Sequence, residues 1–131
     1  MSENQEFLEG EVPNQVPQDV LLSVCIITYN HERYIREALD SALAQQTDFP
    51  FEICLGEDQS KDDTRQICLE YAEKYPTKIR LFLRDEEDKI FINGIKSGRY
   101  NSIETRKAAR GKYIALCEGD DYWTDPLKLQ K

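Results

Sequence analysis

The sequence lacks the features that mark membrane-spanning or secreted chains. Its apolar runs fall well short of the ~20 consecutive residues that a transmembrane helix needs. Its first residues are polar and acidic, without the basic start and apolar middle of a secretory signal. These absences predict a cytoplasmic protein with no transmembrane segment.

The chain also lacks an excess of positive charge. Its formal net charge is -8 at pH 7, from 25 acidic residues against 17 lysines and arginines. Nucleic acids and anionic membranes repel such a surface, so we expect no nucleic-acid partner. One anionic ligand can still be held locally by a metal ion and by backbone amides.

The four cysteines form no C-x-x-C pair, so the commonest zinc-site spacing is absent. Cys25, Cys54 and Cys117 lie in apolar runs of strand-like composition, and Cys68 lies on the apolar face of a predicted helix. We expect small buried hydrophobic side chains in a reducing compartment. A disulfide or a reactive thiol is the less favoured alternative.

Two phosphate-binding motifs are missing as well. The sequence contains neither G-x-G-x-x-G after its first apolar run nor G-x-x-x-x-G-K-[ST] anywhere. A glycine-rich cradle for a dinucleotide or a triphosphate is therefore excluded. A phosphate ligand would instead need a cation held by carboxylates.

Strand-like runs alternate with segments of helical periodicity along a length that suits one small domain. Alternation of this kind predicts a mainly parallel α/β sheet flanked by helices, with right-handed crossovers. Residues 1–20 are polar and aperiodic, so we predict a flexible leader before a folded part at residues 21–131. Asn93-Gly94 and Ser97-Gly98 predict turns. The predicted strands are 21–27, 51–55, 78–83 and 113–117, and the predicted helices cover about 33–44, 67–75 and 102–109.

Polar clusters follow three of the four predicted strands, where ligands of parallel sheets bind. The clusters are Thr28-Tyr29-Asn30, Glu57-Asp58 and Glu118-Gly119-Asp120-Asp121. If the strands are parallel, all three clusters share one edge. Carboxylates at a strand end can also cap the next helix, and Ser60, Asp62 and Asp125 are separate candidates for that role.

The third cluster contains a candidate metal site. Glu118 and Asp120 stand two residues apart, and Gly119 between them makes a turn inexpensive. Mg²⁺ is usually bound by one or two carboxylates together with substrate phosphates. The pair therefore predicts a site for Mg²⁺ or Mn²⁺. His31, the single histidine, follows the first predicted strand, and we expect it to be an exposed loop residue rather than a base or ligand.

Three segments in this order resemble one known family: Ser23 to Asn30, Glu57 to Thr64, and Gly111 to Trp123 followed by Asp125-Pro126. From about Leu21 to Lys131 the chain resembles the N-terminal, nucleotide-sugar-binding part of a family 2 glycosyltransferase, with the Rossmann-like GT-A fold. The resemblance implies transfer of a sugar from a nucleoside-diphosphate sugar, here a UDP-sugar, to a glycan or lipid-linked glycan acceptor. It also implies inversion, assistance by Mg²⁺ or Mn²⁺, and a place in polysaccharide biosynthesis.

The resemblance assigns roles to residues of all three clusters. Thr28, Tyr29 and Asn30 would line the base and ribose, while Glu57 and Asp58 would contact the uracil or its equivalent. The D-x-D motif of the family falls on Glu118-Gly119-Asp120. Asp120 would hold the metal and Glu118 would contact ribose or metal. Asp121 would line the sugar pocket or stand behind it, and Trp123 would pack near the donor or acceptor sugar.

The sequence departs from the family pattern in three places. After the second strand two aspartates and a glycine are usual, but this chain has Glu57-Asp58-Gln59. Glu118 is one methylene longer than aspartate, and the Ala-Arg-Asn triplet before the fourth strand is absent. Arg99 or Arg106 is a candidate substitute for the arginine of that triplet.

Members of the family continue into an acceptor-binding half that carries the general base. We therefore expect this chain to be an incomplete domain with its base beyond Lys131, which leaves the activity of the 131-residue piece alone open. The main alternative is a truncated non-catalytic module for nucleotide-sugar binding or assembly. A nucleotidyltransferase fits less well because it needs a basic, glycine-rich loop after the first strand. A response-regulator-like domain lacks its phosphoacceptor pattern here.

Overall fold

A computed structural model describes residues 11–85, 90–92, 95–97, 99–125 and 128–129. Within these residues strands and helices alternate as the sequence predicts, which confirms the α/β class. The elements are β1 (Leu22–Thr28), α1 (Ile35–Leu43), β2 (Phe51–Glu57), α2 (Thr64–Lys74), β3 (Ile79–Leu83), β4 (Ile90–Ile92), β5 (Ile95–Ser97), α3 (Arg99–Ala108) and β6 (Tyr113–Glu118).

Four strands form one parallel sheet in the order β3-β2-β1-β6. The central strand β1 is the nearly continuous apolar run at the start of the predicted folded part. Its residues Val24, Cys25 and Ile26 have no exposed surface. A strand covered on both faces needs such a run, because both of its side-chain rows are buried.

The two faces of the sheet carry different cores, because successive side chains of a strand point to opposite sides. Val24 and Ile26 of β1 pack with apolar residues of α1 and α2, such as Leu39 and Ile67. Cys25 belongs to a second cluster, in which the other members come from β2, β3 and the end of α3. Helices therefore lie on both faces of the sheet.

A short hairpin between β3 and α3 differs from the prediction. The strands β4 and β5 pair antiparallel, whereas the sequence predicts only turns from residue 90 to 99. Strands of three residues offer too little alternation to be recognised by pattern. The predicted turn at Asn93-Gly94 and the residue Gly98 lie outside the described residues.

Residues 11–16, which fall in the predicted leader, contact the β3 edge of the sheet. Glu11 forms an antiparallel bridge with Phe82, and the amide of Val12 donates to the Leu81 carbonyl at 2.7 Å. Residues 1–10 lie outside the described residues. The boundary between leader and folded part at residue 21 stays a prediction.

Candidate functional site at the carboxyl edge of the sheet

The ends of the sheet strands lie side by side, joined by backbone hydrogen bonds. The Asp58 amide donates to the Thr28 carbonyl at 3.1 Å, and the Gly119 amide donates to the Ile27 carbonyl at 2.9 Å. These bonds continue the parallel ladders of β2 and β6 on β1 by one residue each. The three polar clusters therefore share one edge, as expected from their positions after parallel strands.

Asn30 links the first cluster to the second. Its backbone is left-handed, with φ 54, a conformation that asparagine adopts more readily than most residues. Its amide donates to Ser60 Oγ at 2.8 Å, and its Oδ1 accepts from the Lys61 amide at 2.7 Å. Asn30 thus holds the loop after β2 against the end of β1, while the neighbouring Tyr29 is half-buried.

Glu57 makes its hydrogen bonds within the chain. Its side chain is fully buried, and its two carboxylate oxygens accept from the amides of Gln59 and Ser60 at 3.0 and 2.9 Å. Arg65 Nε forms an ion pair with the same carboxylate. These bonds fold the turn that carries Asp58, itself 3% exposed. Contact of either residue with a nucleotide base stays a prediction.

The predicted capping role of Asp62 is present at the start of α2. Asp62 Oδ1 accepts from the Thr64 amide and from Thr64 Oγ1, and Oδ2 accepts from the Glu32 amide at 3.2 Å. Burial opposes the charge, but these hydrogen bonds outweigh it and lower the pKa of Asp62. One carboxylate therefore joins the loop after β1 to the first turn of α2.

The third cluster is a tight turn with exposed carboxylates. The Asp121 amide donates to the Glu118 carbonyl at 2.9 Å, and Glu118, Asp120 and Asp121 are all exposed. Gly119 between them is buried. A Cβ at this position would stand 2.6 Å from His31 Nδ1 and would also overlap Thr28. Only glycine fits there, so the turn lies directly against the end of β1.

The acidic turn offers oxygen ligands for a divalent cation. Among the described residues no group of three or more His, Cys, Asp or Glu converges to hold a metal ion. An all-protein cage is therefore absent from this part of the chain. Mg²⁺ more often takes one or two carboxylates and completes its shell with water and substrate phosphates. Glu118 and Asp120, exposed and two residues apart, suit that second arrangement.

Cys117, just before the turn, has a protonated thiol at neutral pH. Burial, together with the nearby carboxylates of Asp121, Asp120 and Glu118, raises its pKa to about 11. All four cysteines are buried and free of disulfides. They serve as small apolar side chains, as the sequence predicts.

Trp123 is held by α1. Its amide donates to Ser41 Oγ at 3.0 Å, and its ring has Lys128 Nζ 5.6 Å from the centroid. An open pocket of about 460 Å³ is lined by Tyr122, Trp123, Thr124, Asp125 and Lys128. Most of the helix predicted after Asp125, including Pro126, lies outside the described residues.

The sequence did not predict a cluster of buried polar side chains that lies next to the end of β2. Arg84 Nε donates to Asn101 Oδ1 at 3.2 Å, and Arg84 Nη2 donates to Thr105 Oγ1 at 3.1 Å. Asn101 Nδ2 in turn donates to the Gly56 carbonyl at 3.0 Å. The available signal was the four-residue spacing of Asn101 and Thr105, which places both on one face of α3.

Arg106, one of the two arginines suggested by sequence, does not take part in this group. Arg106 is exposed, and its Nε donates to the Ser102 carbonyl of its own helix. The side chain of Arg99 lies outside the described part of the chain. Arg84, which follows β3, supplies the buried guanidinium of this group.

Comparison with known proteins identifies the family. The model for glycosyl transferase family 2 matches residues 23–131, which includes all three polar clusters. The chain belongs to glycosyl transferase family 2. The Rossmann-like sheet described above is the GT-A fold, which confirms the fold that the resemblance implies.

Relatives of this family 2 chain include an uncharacterized protein and a named glycosyltransferase. An uncharacterized protein of Mycobacterium tuberculosis is 48% identical over 110 residues, which are 84% of this chain and 30% of that protein. The poly(ribitol-phosphate) beta-N-acetylglucosaminyltransferase TarS of Staphylococcus aureus is 38% identical over 103 residues, covering 76% of this chain and 16% of TarS. The chain thus spans about 30% of the length of the first curated relatives it matches.

Two solved glycosyltransferase structures superpose on this chain. S. aureus TarS 1–349 in complex with UDP superposes with a TM-score of 0.59 at 32% identity, covering 84% of this chain and 30% of that one. A mannosyltransferase of Pyrobaculum calidifontis, in complex with GDP-Man and Mn²⁺, has a TM-score of 0.60 at 22% identity over 88% of this chain and 33% of that one. The second similarity shows the fold alone. None of the helices in the described ranges has the length and hydrophobicity needed to cross a membrane.

Proposed function

We propose that this chain is the nucleotide-sugar-binding part of a glycosyltransferase whose donor is a UDP-sugar. One observation carries the proposal: the bonded strand ends that set Thr28, Asp58 and the Gly119 turn side by side. Ligands of parallel α/β sheets bind outside this edge. The similarity to TarS, which is described with UDP and with UDP-GlcNAc, supports uracil as the base.

The nucleoside is proposed to bind against the first two clusters. Thr28, Tyr29 and Asn30 would form one wall, and Asp58 would approach the base from the β2 side. Since both oxygens of Glu57 are bonded within the chain, Glu57 would act by holding the turn that carries Asp58. The first cluster and Asp58 would thus contact the ligand, and Glu57 would support the loop that carries Asp58.

The diphosphate is proposed to bind at the acidic turn. Glu118 and Asp120 would hold Mg²⁺ or Mn²⁺ between the chain and the phosphates, since exposed oxygen ligands are what these ions prefer. Such an ion, when bound, neutralises charge on the leaving diphosphate. Asp121 would face the sugar, and Trp123 would line the sugar side of the open pocket.

The transfer is proposed to be a single displacement. An acceptor hydroxyl oxygen attacks the anomeric carbon opposite the diphosphate, the bond from that carbon to the diphosphate oxygen breaks, and the electron pair leaves with UDP. The configuration inverts, and a general base takes the hydroxyl proton. We assign that base to no residue of this chain. TarS and the minor teichoic acid protein GgaB of Bacillus subtilis favour a surface polysaccharide, or its lipid-linked precursor, as acceptor.

Calorimetric titration with UDP and UDP-GlcNAc, with and without Mn²⁺, tests the proposal. We expect saturable binding that requires Mn²⁺, and a loss of about tenfold or more in affinity for Asp120→Ala, because a charged ligand of the ion is removed. Asp19→Ala is the matched control. Asp19 is also an exposed aspartate, and it precedes β1, at the opposite end of the sheet.

The control variant should bind like the wild-type chain. Absence of binding by the wild type, or binding that is indifferent to both Mn²⁺ and Asp120→Ala, would show that the acidic turn is no donor site. If Asp120→Ala and Asp19→Ala lost affinity equally, the loss would come from the change in net charge and not from the acidic turn.

A further inference from the structure

His31 is anchored at the end of β1. Its Nδ1 lies 3.0 Å from Thr28 Oγ1, and its backbone amide donates to Thr64 Oγ1 at 2.8 Å. The side chain is half-buried rather than fully exposed as the sequence suggested. Ring and backbone are thus tied to different elements, so the imidazole has one defined place.

That place is against the acidic turn. A Cβ built on Gly119 would stand 2.6 Å from His31 Nδ1 and 2.7 Å from Thr28 Cβ, both far inside normal contact distances. The imidazole and the threonine side chain therefore fill the space that any side chain at position 119 would need. They form a wall behind the backbone that joins Glu118 to Asp120.

A wall of this kind has a physical use. Glu118 and Asp120 are exposed, so their side chains sample several rotamers, and a fixed backbone between them limits how far apart the two carboxylates can move. Fixing that backbone before a ligand arrives removes part of the entropic cost of binding. Side chains that contact a ligand bind it well only when neighbouring side chains hold them in place.

We propose that His31 is a positioning residue for cation and diphosphate binding. Through the hydrogen bond between its Nδ1 and Thr28 Oγ1, it holds the Gly119 backbone so that Glu118 and Asp120 keep the spacing that one divalent cation requires. This inference rests on the proposed function, which by itself assigns no role to His31.

Substitutions at His31 separate positioning from direct contact. Asparagine places its terminal polar atoms near the position of Nδ1, and glutamine places them near Nε2. Positioning through Thr28 predicts that His31→Ala and His31→Gln bind UDP about fivefold more weakly in Mn²⁺, the effect of one lost hydrogen bond, while His31→Asn retains affinity. Thr28→Val should lose at least as much affinity, because Thr28 is also proposed to line the nucleoside, and adding His31→Ala to Thr28→Val should cause no further loss.

NMR signals of the His31 ring provide a second test, because their broadening depends on the distance to the bound ion and not on folding alone. Because the chain has one histidine, its imidazole ¹H–¹⁵N signals need no assignment. Bound Mn²⁺ should broaden these signals in the wild-type chain and leave them sharp in Asp120→Ala. Unchanged far-ultraviolet circular dichroism would show that each variant remains folded.

The outcomes distinguish failure of the proposed function from failure of the positioning role of His31. If the wild-type chain fails to bind UDP with Mn²⁺, the proposed function itself is wrong. If the wild type binds and His31→Ala binds equally well, the positioning role is overturned while the function stands. Rescue by His31→Gln instead of His31→Asn would also overturn it, because that pattern requires direct contact through Nε2.

Discussion

Asp62 and Asp63 are adjacent aspartates that differ in what they bind. Asp62 accepts hydrogen bonds from Glu32 and Thr64, whereas Asp63, at the N-cap of α2, makes no side-chain capping bond. Because those bonds outweigh burial and lower its pKa, the charged form of Asp62 is more favourable in the folded chain than in the unfolded one. Its contribution to stability is therefore complete above the ordinary aspartate value of 3.8 and is lost as the pH falls through the lowered pKa.

Asp62→Ala should reduce the free energy of unfolding by about 1 kcal/mol at neutral pH, as for other lost helix caps. Asp63→Ala, the neighbouring control, should change it by less than about 0.5 kcal/mol. Urea denaturation at neutral pH and again in acid below the lowered pKa measures both. The deficit of Asp62→Ala should shrink in acid, and a deficit that stays constant with pH would show that the carboxylate charge plays no part.

At the scale of elements, buried ion pairs join pieces that are distant in sequence. Arg80 of β3 is 1% exposed and pairs with Glu11 at 2.8 Å and with Glu52 of β2 at 3.2 Å. Its Nη1 also donates to the Ala108 carbonyl at the end of α3. Glu52 in turn accepts from Ser23 Oγ of β1. One guanidinium thus connects the segment before β1, two strands and a helix.

Arg80→Met should lower the free energy of unfolding by about 3–5 kcal/mol, because two buried carboxylates lose their partner. Arg36→Met is the matched control, since Arg36 and Glu70 form an exposed pair with 55% and 51% of their side-chain surfaces accessible. Such a pair contributes about 0–1 kcal/mol. Chemical denaturation of both variants measures the contrast. Similar losses in the two would mean that burial of the Arg80 group is not what stabilises it.

At the scale of the whole molecule, the sheet is unequally covered. Every residue of β2 is buried, whereas β6 is mostly exposed, with Tyr113, Ile114 and Leu116 showing 55%, 46% and 61% of their surface. The acidic turn follows this least covered strand. Its placement therefore depends on the ladder to β1 and on the contacts of Gly119 with Thr28 and His31.

Native-state hydrogen exchange should show this difference directly. Amides of β1 and β2 should exchange most slowly, through opening of the whole core, while amides of β6 should exchange faster, through local opening of the edge. Exchange followed by NMR resolves the strands one amide at a time. Equal protection in β2 and β6 would contradict the expected order of stability.

The order and type of the main elements could be predicted because their signals are local. The apolar run that becomes β1 and the helical stripe that becomes α1 are each legible within a few residues. The common edge of the three clusters followed from parallel topology. The β4–β5 hairpin was missed because strands of three residues hardly alternate, and the contacts of residues 11–16 were missed because Glu11 and Arg80 lie far apart in the chain.

The amino-acid sequence by itself determined the α/β alternation, the family, and the residue types that end each strand. Only the tertiary structure decided how those residues are used. It directed the Glu57 carboxylate inward to its own turn, gave the capping contacts to Asp62, and placed His31 against Gly119. The physical reason is that strand and helix signals repeat over a few residues, whereas a hydrogen-bond partner across the sheet edge depends on the packing of the whole chain.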